Sequence, residues 1–155
     1  MSEQNELDES LKDYKQKVAT DLKCTLTWDK DLIFEARTQR GYVIEYDAKV
    51  EWGIMPTESL LTSLAGCMAI DVLMFLQKMR MEITGFKINA VADRNPEPPQ
   101  YFKGVKMHIT IKGKRLDAKK VDRAVALSKD KYCSVYHSMR KDMSHEVTYE
   151  LVEEG

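Results

Sequence analysis

Hydrophobic and polar residues alternate along six short stretches of the chain, and this period of two predicts β-strands. Three of them, residues 22–28, 32–37 and 42–46, follow one another closely, which favours an antiparallel meander. Two more, residues 86–93 and 105–111, flank a proline-rich turn at residues 95–99 and are therefore predicted to form a hairpin. The last predicted strand covers residues 146–152.

Between the strands the spacing of hydrophobic residues becomes helical. Residues 58–80 are apolar on nearly every side of a helical cylinder, which is typical of a helix buried in the centre of a fold. Weaker patterns predict helices at residues 7–19, 117–130 and 133–143. We therefore predict an α+β fold with antiparallel sheets around a long buried central helix. Residues 1–20 are interpreted as an N-terminal helical extension and residues 21–155 as the domain.

The charge balance argues against two classes of partner. The net charge is −1 and the pI is near 6.3, so neither nucleic acid nor an anionic membrane is the expected ligand. Residues 1–9 are acidic and do not resemble a signal peptide. Residues 60–79 contain Ser63, Asp71, Gln77 and Lys78, and this stretch is predicted to be too polar to span a bilayer. We expect a cytoplasmic protein.

The chain has three cysteines, Cys24, Cys67 and Cys133, without the close pairing of zinc sites. Cys24 lies on the apolar face of a predicted strand and is expected to serve packing. Cys67 lies among small residues of the central helix, where a thiol is commonly a small hydrophobic side chain. Cys133 lies at a predicted helix start beside Lys131, where the helix dipole and the cation favour the reactive thiolate.

A polar residue stands out in the central helix. Asp71 follows Cys67 by four residues and so lies on the same helix face. A buried carboxylate is costly without a partner, so Asp71 is predicted to bond to a donor such as an arginine or a backbone N–H. The alternative is a place near a solvent-reaching cleft, where its charge would make Cys67 less reactive.

The three histidines provide weaker evidence for a functional site. His137 follows Cys133 by four residues and could stabilise a thiolate or carry a proton, although a solvated position is equally consistent. A Cys–His pair supplies too few ligands for zinc, so no metal or cofactor is predicted. His108 and His145 are interpreted as exposed strand positions without a role.

Two sequence motifs resemble those around the two cysteines of the OsmC/Ohr family (osmotically induced protein C and organic hydroperoxide resistance proteins). The first is PTESLL at residues 56–61 followed by AGCMAIDV at 65–72, and the second is KYCSV at 131–135. The spacing between them, the strand order and the proline-rich hairpin also agree. The resemblance covers about residues 24–153 and is to a less characterised OsmC-like branch.

This resemblance implies an intertwined homodimer, in which N-terminal strands of one chain complete the sheet of the other. It also implies reduction of organic hydroperoxides, with Cys67 as the peroxidatic thiolate that becomes a sulfenic acid. Cys133 would be the resolving thiol that closes a disulfide. A dithiol reductant, such as a dihydrolipoyl protein or thioredoxin, would then restore both thiols.

The chain departs from the family pattern near the first cysteine. Peroxidatic members place a glutamate ten residues earlier, to hold an arginine against the thiolate, and Thr57 occupies that position here. Glu58 is nine residues before Cys67, a rotation of about 180° in an ideal helix. Glu58 and two candidate activating arginines, Arg37 and Arg40, complete the predicted site.

Three functional hypotheses follow. The favoured one is a thiol peroxidase for lipid-like hydroperoxides, with apolar walls that include Leu64, Met68 and Phe75. The second is a thiol–disulfide redox or stress protein without efficient peroxidase activity, motivated by Thr57 in place of the glutamate. The third is a non-enzymatic module that binds an apolar small molecule, against which the two cysteines argue.

Overall fold

The computed structural model describes residues 2–15 and 19–155. The helices are α1 (Glu3–Ser10), α2 (Pro56–Lys78), α3 (Ala118–Leu127), a π-helical turn (Ser128–Tyr132) and α4 (Ser134–His137). The strands are β1 (Cys24–Lys30), β2 (Ile33–Thr38), β3 (Val43–Asp47), β4 (Glu82–Arg94), β5 (Phe102–Lys114) and β6 (Ser144–Glu153). Two compact units result: a core unit of Met1–Gln16 with Leu61–Gly155, and a meander unit of Lys17–Leu60.

The meander unit contains the three short strands, paired antiparallel in the order β1-β2-β3, as predicted. Asp47 ends β3, and its carboxylate accepts hydrogen bonds from the backbone N–H groups of Lys49, Trp52 and Glu51. These bonds, that from Lys49 first, hold the pKa of Asp47 below its usual value. The carboxylate therefore fixes the loop after β3 together with a turn, in which the Val50 N–H donates to the Asp47 carbonyl at 3.1 Å.

Strand β1 differs from its prediction, because it is exposed along its whole length in the single chain. Trp28 on its expected inner face is 64% exposed. Cys24 is also exposed in the single chain, so its packing role stays a prediction. The alternation of residues correctly indicated a strand, but it could not show whether a second layer covers the apolar face.

The core unit is built on a second three-stranded sheet in the order β4-β5-β6. Strands β4 and β5 form the predicted antiparallel hairpin, and β6 runs parallel to β5. The central strand β5 buries alternate residues, as its pattern predicts; they include Val105, Met107, Ile109 and Ile111. One face of α2 and residues of α3 join the same hydrophobic cluster, so the α+β fold is confirmed.

Helix α2 is less enclosed in the single chain than predicted. Its buried residues recur every three or four positions from Leu64 to Leu76, whereas Ile70 on another face is 67% exposed. Helix α2 has 23 residues and contains an 18-residue stretch with a mean hydropathy of 1.9. It is thus long and apolar enough to cross a membrane, and the expectation that it is too polar is wrong. Core helices of soluble proteins have the same properties, and the buried face of α2 belongs to the hydrophobic cluster of the core unit.

The N-terminal helix is shorter and earlier than the predicted span of residues 7–19. The Ser2 hydroxyl caps α1 by accepting from the Asn5 N–H at 3.4 Å, and the helix gives way to turns after Ser10. Residues 16–18 of the predicted helix lie outside the described residues. Leu7 and Leu11 are buried in the core cluster, so this segment docks on the core unit.

The helices before β6 also differ in length from their predictions. Asp117 caps α3 as expected, with its carboxylate accepting from the Lys119 N–H at 2.9 Å. The second helix, predicted at residues 133–143, ends after one turn at His137. The preceding π-helical turn brings Ser128 and Cys133 together, because the Cys133 N–H donates to the Ser128 carbonyl at 2.8 Å.

His145 is buried, which contradicts its predicted exposure. It is the second residue of β6 and lies on the inner face, with its ring 4.7 Å from that of Tyr136. Among the described residues, neither ring nitrogen has a hydrogen-bond partner. Burial, with a smaller effect from the Lys129 charge, lowers the pKa of His145 to about 4. His145 is therefore a neutral core side chain.

This burial predicts a loss of stability in acid. Below a pH of about 6.5 the unfolded chain binds a proton at His145 that the folded chain excludes down to about pH 4. The free energy of unfolding should therefore fall between pH 7 and pH 4, by roughly 3 kcal/mol at most from this group. Urea unfolding at several pH values should show a shallower fall for His145→Leu than for wild type. His108→Gln, a change at a strand histidine bonded to Thr148 and 3.5 Å from Glu150, should not make the fall shallower. Equal slopes for His145→Leu and wild type would contradict the assignment.

Candidate functional site

Cys67 and Cys133 lie close together in the core unit. Cys67 comes from the middle of α2, and Cys133 is the residue that precedes α4. Their sulfur atoms and a carboxylate oxygen of Asp71 all lie within 4.8 Å of one another. The fold thus brings close together the two cysteines that the sequence motifs identified, although they are 66 positions apart in the chain (133 minus 67).

The two thiols differ in environment. Cys67 is half-buried and Cys133 is fully buried. Burial raises the pKa of Cys133 to about 12; the Tyr136 backbone N–H opposes this, whereas the hydrogen bond to Cys67 and the charges of Cys67 and Asp71 add to it. Cys133 is therefore a neutral thiol at neutral pH, and the prediction of a thiolate there is wrong.

Two structural features explain that correction. Helix α4 has only four residues, and so its dipole is too small to offset the burial of Cys133. The neighbouring Lys131 places its ammonium group 5.1 Å from the centre of the Tyr132 ring, in a cation–π contact. The helix dipole and the Lys131 charge, which favoured a thiolate at Cys133 in the sequence, are thus outweighed in the fold by burial.

Asp71 is fully buried, and three side chains among the described residues donate hydrogen bonds to it. The Tyr14 hydroxyl and the Lys15 ammonium group, the latter at 3.2 Å, donate to Oδ1, and the Ser128 hydroxyl donates to Oδ2 at 2.9 Å. The prediction of a structurally paired carboxylate is confirmed, although the donors differ from the arginine or backbone N–H expected. Asp71 therefore connects α2 with the N-terminal segment and the π-helical turn.

Tyr14 and Lys15 are site residues that the sequence analysis missed. The ring of Tyr14 contacts those of Phe75 and Tyr132, with centroids 5.6 and 5.2 Å away. Burial, then the hydrogen bond to Asp71, raises the pKa of Tyr14. Lys15 also donates to the Tyr132 carbonyl at 2.6 Å and has a left-handed backbone with φ of +54°. The available signal was the helical spacing of Leu7, Leu11 and Tyr14, which predicts a weakly amphipathic helix without showing whether it docks or on what.

A cavity of about 240 Å³ opens beside this network. It is lined by Tyr14, Lys15, Lys131, Tyr132 and Ser134. The apolar walls expected from Leu64, Met68 and Phe75 are absent from this lining, because those three side chains are fully buried in the core cluster. This opening, whose lining includes neither cysteine, is therefore aromatic and cationic.

The remaining candidate residues make other contacts. Within the meander unit, the Glu58 carboxylate accepts from the Met55 N–H at 3.0 Å, and Arg37 pairs with Glu35 at 2.8 Å. Arg40 lies in the turn between β2 and β3. His137 in the core unit places Nε2 2.9 Å from the Lys129 carbonyl. Catalytic roles for Glu58, Arg37 and Arg40 stay predictions.

Comparison with known proteins finds similarity over most of the chain. A family model described as OsmC-like protein matches residues 46–148. Protein YhfA of Escherichia coli strain K12 is 31% identical over 132 residues, which cover 84% of this chain and 98% of YhfA.

Solved structures agree with this match. A hypothetical protein from Aquifex aeolicus VF5 superimposes with a TM-score of 0.80 at 26% identity, over 88% of this chain and 100% of that one. The organic hydroperoxide resistance protein OhrB of Bacillus subtilis gives a TM-score of 0.59 at 14% identity, over 84% and 98% of the two chains. The second likeness is one of fold alone.

The contact between Tyr14 and Asp71 predicts a measurable contribution to stability. Tyr14→Phe removes a hydroxyl that donates to a buried carboxylate, and should lower the free energy of unfolding by about 1.5–3 kcal/mol. Tyr101→Phe, which keeps the ring that contacts Arg140, should change it by less than about 0.5 kcal/mol. Urea unfolding at neutral pH measures both. A Tyr14→Phe effect as small as that of Tyr101→Phe would show that the N-terminal segment does not hold Asp71.

Proposed function

The chain belongs to the OsmC-like family, and on that premise we propose that it is a thiol peroxidase that reduces organic hydroperoxides. Membership points to a redox or stress function, and fold relatives include organic hydroperoxide resistance proteins. The observation that supports the specific reaction is the distance of at most 4.8 Å between the sulfurs of Cys67 and Cys133. A half-buried thiol beside a buried one provides a reactive and a resolving partner.

In the first step the Cys67 thiolate attacks the terminal oxygen of the hydroperoxide. An S–O bond forms and the O–O bond breaks, so that sulfur loses two electrons and the peroxide gains them. The departing alkoxide takes up a proton and leaves as the alcohol, and Cys67 becomes a sulfenic acid. Cys67 is the attacking residue in this proposal because it is the more exposed of the two thiols and Cys133 is held as a neutral thiol.

In the second step the Cys133 sulfur attacks the sulfenic sulfur of Cys67. The S–S bond forms as the S–O bond breaks, and the hydroxyl group leaves as water with the proton from Cys133. The high pKa of Cys133 keeps this thiol protonated until the sulfenic acid is present. The different roles of Cys67 and Cys133 in this proposal thus follow from their difference in burial.

A dithiol reductant completes the cycle. Its thiolate attacks the disulfide, its second thiol releases the protein, and both cysteines return to thiols while the reductant becomes a disulfide. A dihydrolipoyl protein or a thioredoxin-like protein has the required chemistry. Such reductants operate in reducing compartments, which favours a cytoplasmic location.

A second candidate function is thiol–disulfide exchange without efficient peroxidase activity. The observation in its favour is the Asp71 carboxylate within 4.8 Å of both sulfurs, because a negative charge disfavours a thiolate beside it. Thr57 in place of the family glutamate points the same way. By contrast, the aromatic and cationic lining of the cavity gives no support to a module for apolar ligands.

The peroxidase proposal predicts fast and selective thiol oxidation. Reduced protein treated with one equivalent of cumene hydroperoxide should lose two thiols per chain, well ahead of free cysteine and ahead of the loss with hydrogen peroxide. Cys67→Ser should abolish the fast phase. Cys133→Ser should lose a single thiol and accumulate a sulfenic acid that dimedone traps.

Cys24→Ser is the matched control, since it removes the exposed third cysteine, and it should behave as wild type. If neither peroxide oxidises Cys67 faster than free cysteine, the peroxidase proposal fails. Disulfide formation in a dithiothreitol redox buffer, with slow peroxide reaction, would support the exchange function instead.

The active form in this proposal is a homodimer. The meander unit exposes large hydrophobic side chains, which are Leu22, Leu26, Trp28, Leu32, Tyr42, Val43, Ile44, Val50, Trp52, Ile54 and Leu60. A monomeric soluble protein rarely exposes so many, and a small sheet needs a second layer to be stable. A second copy of the chain would provide that layer.

Paired substitutions test the homodimer. Leu26→Lys with Trp28→Lys on β1 should convert the protein to a monomer in sedimentation equilibrium, because four charges would enter the dimer interface. Val91→Lys with Val152→Lys, at exposed positions on β4 and β6 of the core unit, should leave the association of wild type unchanged. A wild type that is monomeric at micromolar concentration would contradict the proposal.

A further inference from the structure

Three atoms that commonly bind metal ions meet at the cysteine pair: the sulfurs of Cys67 and Cys133 and a carboxylate oxygen of Asp71. We propose that the reduced protein binds a thiophilic divalent cation at these residues, and that Zn²⁺ is the ion best matched to them. Sequence spacing offered only Cys133 with His137, which are too few ligands for zinc. The fold instead brings Cys67 and Asp71 of α2 to Cys133.

The arrangement is close to what one ion requires. Zinc bonds to thiolate sulfur at about 2.3 Å and to carboxylate oxygen at about 2.0–2.2 Å, so ligand atoms around a tetrahedral ion lie roughly 3.5–3.8 Å apart. The three atoms here are within 4.8 Å of one another, so changes of about an ångström would suffice. Cys67 and Asp71 are also spaced i, i+4 on α2, a spacing that places two ligands on one helix face.

The ligand types favour zinc over the common hard cations. Calcium and magnesium prefer oxygen donors, whereas two thiolates with one carboxylate suit a softer ion. Two thiolates and a carboxylate carry three negative charges, and the ion with the Lys15 ammonium group supplies three positive ones. The buried group of charges would therefore be balanced, as burial demands.

The surroundings meet two further requirements of a metal site. Ser128 donates to Asp71 Oδ2 at 2.9 Å, which is the kind of outer hydrogen bond that orients a ligating carboxylate. The cavity of about 240 Å³ is lined by Lys15, which donates to Asp71, and by Ser134, the residue after Cys133, so an ion would have a short path from solvent to the ligands.

This inference does not rest on the peroxidase proposal. A cysteine pair that binds Zn²⁺ need not react with peroxide, and a peroxidatic pair need not bind metal. The test below therefore uses reduced, metal-free protein and neither peroxide nor reductant turnover, so that failure of one proposal leaves the other standing.

The test is titration of the reduced full-length protein with Co²⁺, followed by displacement with Zn²⁺ against a chromophoric chelator. We expect one Co²⁺ per chain, sulfur-to-cobalt charge-transfer absorption, and loss of that absorption when Zn²⁺ is added. Cys67→Ser and Cys133→Ser should each weaken Zn²⁺ binding by at least about 100-fold, and Asp71→Asn by roughly 10- to 100-fold.

Cys24→Ser is again the control and should bind as wild type, because this exposed cysteine lies on β1 of the meander unit. Far-UV circular dichroism identifies any variant that fails to fold. Cys67→Ser is the variant for which we expect folding to be least disturbed, because Cys67 is only half-buried. Cobalt spectra without the sulfur bands, or Zn²⁺ affinity unchanged in Cys67→Ser, would overturn the proposal.

Discussion

A buried carboxylate needs hydrogen-bond donors around it, and Asp71 obtains them from two separate parts of the core unit. Tyr14 and Lys15 approach from the N-terminal segment, and Ser128 approaches from the π-helical turn. Because the turn also receives the Cys133 N–H at the Ser128 carbonyl, the position of Cys133 depends on the same contacts. Placement of the cysteine pair thus follows from satisfying one buried charge.

That charge also affects the chemistry of the site. Burial makes Cys133 a weak acid, and the Asp71 carboxylate adds to this effect, whereas Cys67 keeps partial contact with solvent. The two thiols are therefore unequal before any reaction begins. An unequal pair suits a reaction in which one sulfur is oxidised first and the other attacks afterwards. When both cysteines are reduced, their sulfurs and the Asp71 carboxylate can surround a soft cation.

Sequence patterns predicted the elements whose neighbours are local or whose burial is regular. The alternation in β5, the hairpin with β4 and the meander of short strands were all evident from residue type. Features that depend on distant contacts could not be predicted in this way. Asp71 lies 57 positions from Tyr14 in sequence, and nothing near either residue indicates the pairing. His145 was misjudged because its alternating pattern does not say which face of β6 is covered. The motifs identified both cysteines, but the acidity of Cys133 depends on burial that a motif does not encode.

The central claim is that Cys67 and Cys133 form one redox pair within a chain. The most direct test is peptide mapping by mass spectrometry after mild oxidation with diamide and alkylation of the remaining thiols. The account predicts a disulfide-linked peptide that contains Cys67 and Cys133 of the same chain, with Cys24 alkylated. A disulfide from Cys67 to Cys24, or Cys133 alkylated while Cys67 is joined to a second chain, would contradict it.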